Sequence, residues 1–222
     1  MSGSGRLLSA LEANAIEARS AEVESRVGIQ IVAAIVDKSD AHVELPWKAF
    51  AIATVLAGLA LVVADAVRPQ WLSANAVLVH TVTILGSGGA SALLAILAPA
   101  YARLFLRSTR RDFSVRRRAE ALFLEHELFG TRERNGVLIL VSCFERRVEI
   151  FADVGLNRHV AEVEWRPVIS RMTPLLREGR FADALLAGLI ATEELLAGKG
   201  FKPEPGSINE LPDRPIDERG RA

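Results

Sequence analysis

From Phe50 to Val67 the chain reads FAIATVLAGLALVVADAV, with Asp65 its one charge, and from Leu72 to Ala102 it carries no formally charged residue at all. About 20 apolar residues suffice for a helix to cross the hydrocarbon core of a bilayer. Each run is long enough, the second with room for tilt, and RPQW is the whole connector between them. A soluble core would need far more protein around two such helices, so the sequence predicts a transmembrane helical hairpin over residues 47–102. Pro69 in the connector cannot continue a helical hydrogen-bond ladder. Trp47 and Trp71 stand at span ends, where an indole favours the membrane interface.

Basic residues set the expected orientation. Arg103, Arg107, Arg110, Arg111, Arg116, Arg117 and Arg118 follow the second run, whereas the connector holds only Arg68. The positive-inside rule then places both termini in the cytoplasm of a multi-pass protein of the cell (inner) membrane. The N-terminal MSGSGRLLSALEAN has no apolar core before a small-residue cleavage site, so targeting is expected from the hairpin itself. The formal net charge of zero creates no field for nucleic acid, and the bilayer is the expected partner. Within the hairpin, Asp65 and His80 are the intramembrane polar candidates, since ionisable groups at such positions are functional candidates by default. The small residues of GSGGAS, Gly86 to Ser91, allow close helix packing.

The flanking sequence reads as one split α/β domain, in parts 1–46 and 103–199. Leu7, Leu8, Leu11, Ala15 and Ala18 fall near helical spacing, and Val27 to Val36 is a β-branched run fit for a buried strand. After the hairpin, Ser114 can cap a helix on which Val115, Ala119, Leu122, Phe123, His126 and Phe129 share a face, ended by Gly130. GVLILVSC, from Gly136 to Cys143, has the continuous apolarity of a central strand, and RVEIFAD alternates, with Phe144, Glu145 and Arg146 as a tight turn between them. Helices follow, with Pro167 marking a break or a new first turn and a last helix from about Phe181 to Leu196. The expected fold is a small mixed sheet flanked by helices, interrupted by the inserted hairpin. Residues 200–222 are rich in proline and charge and are expected to form a flexible tail.

Candidate chemistry is sparse. Asp153 precedes Gly155 at a strand end, where a carboxylate can cap the next helix or offer a hard oxygen ligand to a divalent cation. Cys143 has Glu149, not arginine, six residues on, so it lacks the thiol-phosphatase pattern and reads as a small buried hydrophobe. His159 could act as a base, but no nucleophile is placed beside it by any recognised motif.

The pattern RNGVLILVSCFERRVEIFADVG, followed by a tryptophan-bearing helix in VAEVEWRPVI, resembles the TPM-domain family, with its "R-x-G-V-L" strand entry, charged hairpin and strand end near "D-x-G". The segment SDAHVELPWKAFA resembles a bacterial integral-membrane branch in which a transmembrane pair lies within the domain. A strong anchor and no enzyme motif predict a membrane-tethered interaction or assembly module that docks onto another membrane protein; the resemblance implies the α/β fold. It also implies, as alternatives, binding of Ca2+ or another divalent cation at Asp153 and a weak metal-dependent phosphatase activity. A small proton- or ion-coupled element using Asp65 and His80 is a further reading.

Overall fold

The computed structural model describes residues 7–67, 75–106, 108–203 and 209–219. It divides into two compact units, 1–41 with 109–222, and 42–108. The connector residues Arg68, Pro69 and Trp71, together with Arg107, lie outside the described residues.

The first unit is built on four strands, β1 (Gln30–Val36), β2 (Gly136–Ser142), β3 (Arg147–Ala152) and β4 (Ile216–Glu218), in the order β3-β2-β1-β4. β1 pairs in parallel with both β2 and β4, and β2 pairs antiparallel with β3. The fold is therefore a mixed α/β sheet, as the sequence predicts. Every residue of β1 and β2 is buried. Alternate side chains explain why: Ile31, Ala33, Ile35, Val137, Ile139 and Val141 enter one core, and Val32, Ala34, Leu138 and Leu140 enter another. Helices α1 (Ala10–Val27), α7 (Arg166–Glu178) and α8 (Phe181–Gly198) fill the first core, and α5 (Ser108–Glu125) fills the second through Val115, Ala119, Leu122 and Phe123. Both faces being covered, neither central strand needs polar alternation.

Local chemistry sets the ends of α1. Ser9 and Glu12 form a reciprocal capping box, with Oγ and Oε2 accepting backbone N–H bonds at 3.2 and 2.8 Å. Gly28 closes the helix at φ +72°, where a Cβ would also lie 2.6 Å from the Pro203 Cα.

The second unit contains α2 (Glu44–Val67), α3 (Ala76–Leu97) and the short α4 (Pro99–Ala102). Gly88 packs on Phe50 and Thr54, leaving no room for a Cβ, and Gly58 meets Ile84. Ser91 Oγ donates to the Ala49 carbonyl at 3.1 Å and bonds the Tyr101 hydroxyl at 2.7 Å. At the other end, His80 Nδ1 lies 3.7 Å from Asp65 Oδ2. Contacts that rise in one helix as they fall in the other define an antiparallel hairpin.

Three expectations need correction. Ser114 is not an N-cap: α5 starts at Ser108, six residues earlier, and Ser114 is buried within it. His126 is exposed, because α5 ends at Glu125 and the chain leaves the apolar face there. The stretch beyond Gly200 is not wholly a flexible tail. Residues 209–219 run back along the domain and supply β4, because the free edge of β1 offers backbone partners that composition does not reveal.

Candidate functional site

In sheets with parallel strands, ligands gather beyond the strands' carboxyl ends, where loops diverge. Three parallel strands end together here, since Val36 is in register with Ser142 on one side and Glu218 on the other. The loop after β1, Asp37-Lys-Ser-Asp-Ala41, turns over this edge. It is pinned by the Asp37 N–H donating to the Glu218 carbonyl (3.0 Å) and by the Phe144 N–H donating to the Asp37 carbonyl (2.8 Å). Beneath it, Glu145 is buried. Its carboxylate accepts from the Ser142 hydroxyl and, at 3.2 Å, from the Ser39 N–H, while the Ser39 and Ser142 hydroxyls stand 2.9 Å apart. These bonds satisfy a carboxylate that would otherwise be costly to bury.

Above the network lies a cleft of about 280 Å³, lined by Lys38, Ser39, Asp40, Arg118 and Glu218 over Val36 and Ala41. Arg118 reaches from α5 to pair with Glu218 and lies 3.5 Å from Glu125. Lys38 Nζ sits 5.2 Å from the Phe144 ring centre. The cleft thus presents both charge signs and a hydroxyl, which suits recognition of a polar ligand. Among the described residues no histidine lines it.

Asp153 is elsewhere. Its N–H donates to the carbonyl of Gly136, the first residue of β2, whereas the cleft lies past the last; seven residues of strand put them about 20 Å apart. Asp153 is the N-cap of the one-turn helix α6 (Val154–Asn157), accepting the Val154 N–H at 2.7 Å. Both its oxygens also receive the Arg134 guanidinium, Nε at 2.6 Å and Nη2 at 3.0 Å. Gly155 completes the clamp by donating its N–H to the Arg134 carbonyl at 2.9 Å. A divalent cation does not fit there, because a guanidinium already fills the carboxylate. Among the described residues, no three His, Cys, Asp or Glu side chains are grouped to hold a metal ion.

Cys143 is buried, and burial, with Asp37, Asp217 and Glu145 nearby, pushes its thiol up to about 12. The thiolate needed for nucleophilic chemistry is therefore suppressed. His159 is exposed and packs edge-on against Phe201. The structure does bring Asp65 and His80 together, in the hairpin.

Two features escaped the sequence reading. The Lys38-Ser39-Asp40 loop directly follows a buried strand, and that placement was its only signal. Glu149 faces Arg116, Glu162, Asp112 and Glu120 and lines a second cleft, of about 460 Å³, with Ile150, Trp165 and Ile169. Burial pushes its carboxyl up to about 7, against the pull of Arg116.

Residues 103–195 match the family model of the TPM domain, a stretch that takes in α5, β2, β3 and α7 and leaves α1, β1 and β4 outside. The fold is similar to the NMR structure of the BA42 protein from the psychrophilic bacterium Bizionia argentinensis. The two are 18% identical with a TM-score of 0.58, over 99% of this chain and 100% of that one. At that identity the likeness is one of fold. No curated protein matches the chain significantly.

Proposed function

We propose that this chain is an integral membrane protein in which α2 and α3 cross the bilayer as a hairpin and the TPM-type α/β unit serves as a cytoplasmic docking module for another membrane protein. One observation carries the membrane assignment. The two helices, of 24 and 22 residues, are long and apolar enough to span, and almost none of their apolar windows is buried by protein. Val55, Leu59, Val62, Val77 and Val82 are each about 60–80% exposed. Each such side chain gains about 1.5–3 kcal/mol on leaving water, so only lipid or an apolar partner can cover a surface like this. Arg103 and the α5 arginines Arg111, Arg116, Arg117 and Arg118 favour the cytoplasmic side for the α/β unit.

The docking role rests on the carboxyl-edge cleft, which offers charged and hydroxyl groups of Lys38, Ser39, Asp40, Arg118 and Glu218 for recognition of a polar partner surface. A metal-dependent phosphatase centred on Asp153 is disfavoured by the Arg134 clamp. The Asp65–His80 pair gives a proton-coupled reading less support. It lies in the last turn of α2 and the second turn of α3, and no Asp, Glu, Lys, Arg or His lies between Lys48 and Asp65 in α2 or after His80 in α3. We assign it to holding the hairpin closed at its connector end.

Membranes from cells making the full chain provide the test. The protein should resist alkaline carbonate extraction, float with vesicles, and keep a C-terminal reporter on the cytoplasmic side. Crosslinking in the same membranes should yield a reproducible heteromeric product that is lost on Lys38→Glu with Ser39→Arg. Release by carbonate refutes the membrane assignment, and crosslinks indifferent to the cleft substitutions refute the docking role.

A further inference from the structure

β3 closes one end of the sheet: β2 pairs with one side of it, and among the described residues no strand pairs with the other. The ladder tells which groups face outwards. Asp153 donates its N–H to the Gly136 carbonyl, so in the antiparallel register Arg147, Glu149 and Phe151 exchange bonds with β2. Val148, Ile150 and Ala152 therefore turn their N–H and C=O groups away from it. The Asn157 side-chain amide takes the outward Ala152 carbonyl at 2.7 Å. Among the described residues, no hydrogen bond reaches the outward groups of Val148 or Ile150. A strand edge left this way is a template for one more strand.

The cleft of about 460 Å³ runs beside this edge, and side-chain alternation gives it two unlike sides. Ile150, with Val163, Trp165 and Ile169, lines an apolar side facing α7. Glu149 turns to the α5 side, as its neighbour Arg147 does in pairing with Asp112 at 3.0 Å. Glu149 is half-buried, yet among the described residues its carboxyl group accepts no hydrogen bond and joins no ion pair. The cations nearby are engaged elsewhere. Arg147 holds Asp112, and Arg116 is shared between Glu120 and Glu162, each at 3.4 Å. The Arg116–Glu162 pair links α5 to the 3-10 turn Glu162–Trp165, but both side chains are exposed, and a pair of that kind yields easily to an entering chain. Arg166, exposed in the same cleft, has no ion-pair partner among the described residues and suits an acidic side chain. A carboxyl group kept half-buried and unanswered costs the fold stability, and binding is a reason to keep it.

We propose that the open edge of β3 binds an extended peptide segment of a partner protein, which adds as a fifth strand and sets a lysine or arginine against Glu149 between apolar side chains seated on Ile150, Val163 and Ile169. Charge and pattern select this occupant. A residue directly opposite Glu149 brings its Cβ within about 5.5 Å, in reach of a charge-assisted hydrogen bond, and its two neighbours then point to the apolar side. A second copy of the chain answers less well, because Arg147 is the only basic residue of β3 and Asp112 already holds it. The site is separate from the carboxyl-edge cleft. It lies at the opposite end of the sheet from β4, the strand that the C-terminal strap, residues 209–219, supplies with Glu218.

The test uses the full chain in detergent micelles at pH 8, where Glu149 is mostly ionised, with empty micelles as blank. The probe is fluorescein-labelled Thr-Val-Lys-Ile-Thr-Val, capped at both ends, read by anisotropy. It should bind at least about tenfold more tightly than its Lys→Glu form. N-methylation along one edge of the peptide should abolish binding, and along the other edge should leave it, since only one row of N–H groups meets β3. Bound peptide should slow hydrogen exchange in 147–152. Glu149→Gln should weaken binding about tenfold without lowering Tm, because it removes an unanswered carboxyl group. Val163→Lys, at an exposed position of the cleft, should weaken it as much. Binding no better than to empty micelles, equal binding of the Lys and Glu forms, or binding unchanged by both substitutions overturns the proposal. So does protection of 147–152 that rises with protein concentration in the absence of peptide, which marks pairing with a second copy.

Discussion

Gly155→Ala tests why the sequence Asp-Val-Gly ends β3. Gly155 has ordinary backbone angles, so its reason for being glycine is space. An alanine Cβ would lie 2.5 Å from the Arg134 carbonyl oxygen and nearer still to that of Glu133, whereas ordinary contact begins at 3.4 Å. The chain must retreat by more than about 0.9 Å from main-chain atoms that have no rotamer to change. That retreat opposes the 2.9 Å bond from the Gly155 N–H to the Arg134 carbonyl and loosens the Asp153–Arg134 clamp. Overpacking of this kind costs about 1–3 kcal/mol, and the weakened bond adds about 1. For a protein of this size each kcal/mol moves Tm by about 2–4 °C, which gives an expected drop of roughly 5–15 °C. Thermal unfolding of the purified full chain, followed by circular dichroism, measures it. Gly130→Ala is the control: nothing lies within 4 Å of the added methyl, so Tm should stay within about 2 °C. A Gly155→Ala protein that melts within 2 °C of wild type, or a control that falls as far, refutes the reasoning.

Other outcomes follow from the same structure. Cys143, with its thiol pushed up to about 12, should resist maleimide at pH 8 in the folded chain and label fully in denaturant. Millimolar calcium should shift Tm equally in wild type and Asp153→Asn, since the Arg134 guanidinium engages both oxygens of that carboxylate; a shift confined to the wild type would restore Asp153 as a ligand. Glu149 has its carboxyl raised from 4.5 to about 7, so its protonated form favours the folded state and that contribution fades as pH rises through 7. Glu149→Gln should therefore unfold at higher urea than wild type at pH 8 and show no such gain at pH 4. In the hairpin, Asp65→Asn and His80→Gln should each weaken a disulfide-trapped α2–α3 crosslink, and combining them should add little, because either one already breaks the 3.7 Å pair.

The features legible in the sequence were those with local or periodic causes. The long uncharged runs marked α2 and α3, and the continuous apolarity of Gly136 to Ser142 marked a strand covered on both faces. Asp153 was legible as a cap because N-capping depends on a few adjacent backbone groups, here the Val154 N–H. Helix starts were less secure: Ser114 has a capping side chain, yet tertiary burial places it inside α5.

What only the tertiary structure decided were the meetings of residues far apart in the chain. Asp65 joins His80 because the hairpin is antiparallel, and Arg134 meets Asp153 because β2 and β3 are. The cleft needs Lys38 and Ser39 from one loop, Ser142 and Glu145 from the end of β2, Arg118 from α5 and Glu218 from the strap. No spacing rule links these positions. The strap is the sharpest case, since its proline-rich, charged composition predicts disorder. It orders because β1 leaves an edge unpaired and because Gln30 accepts the Glu210 and Leu211 N–H groups while Asp217 accepts those of Leu7 and Leu8, partners that come together only once the rest of the domain has folded.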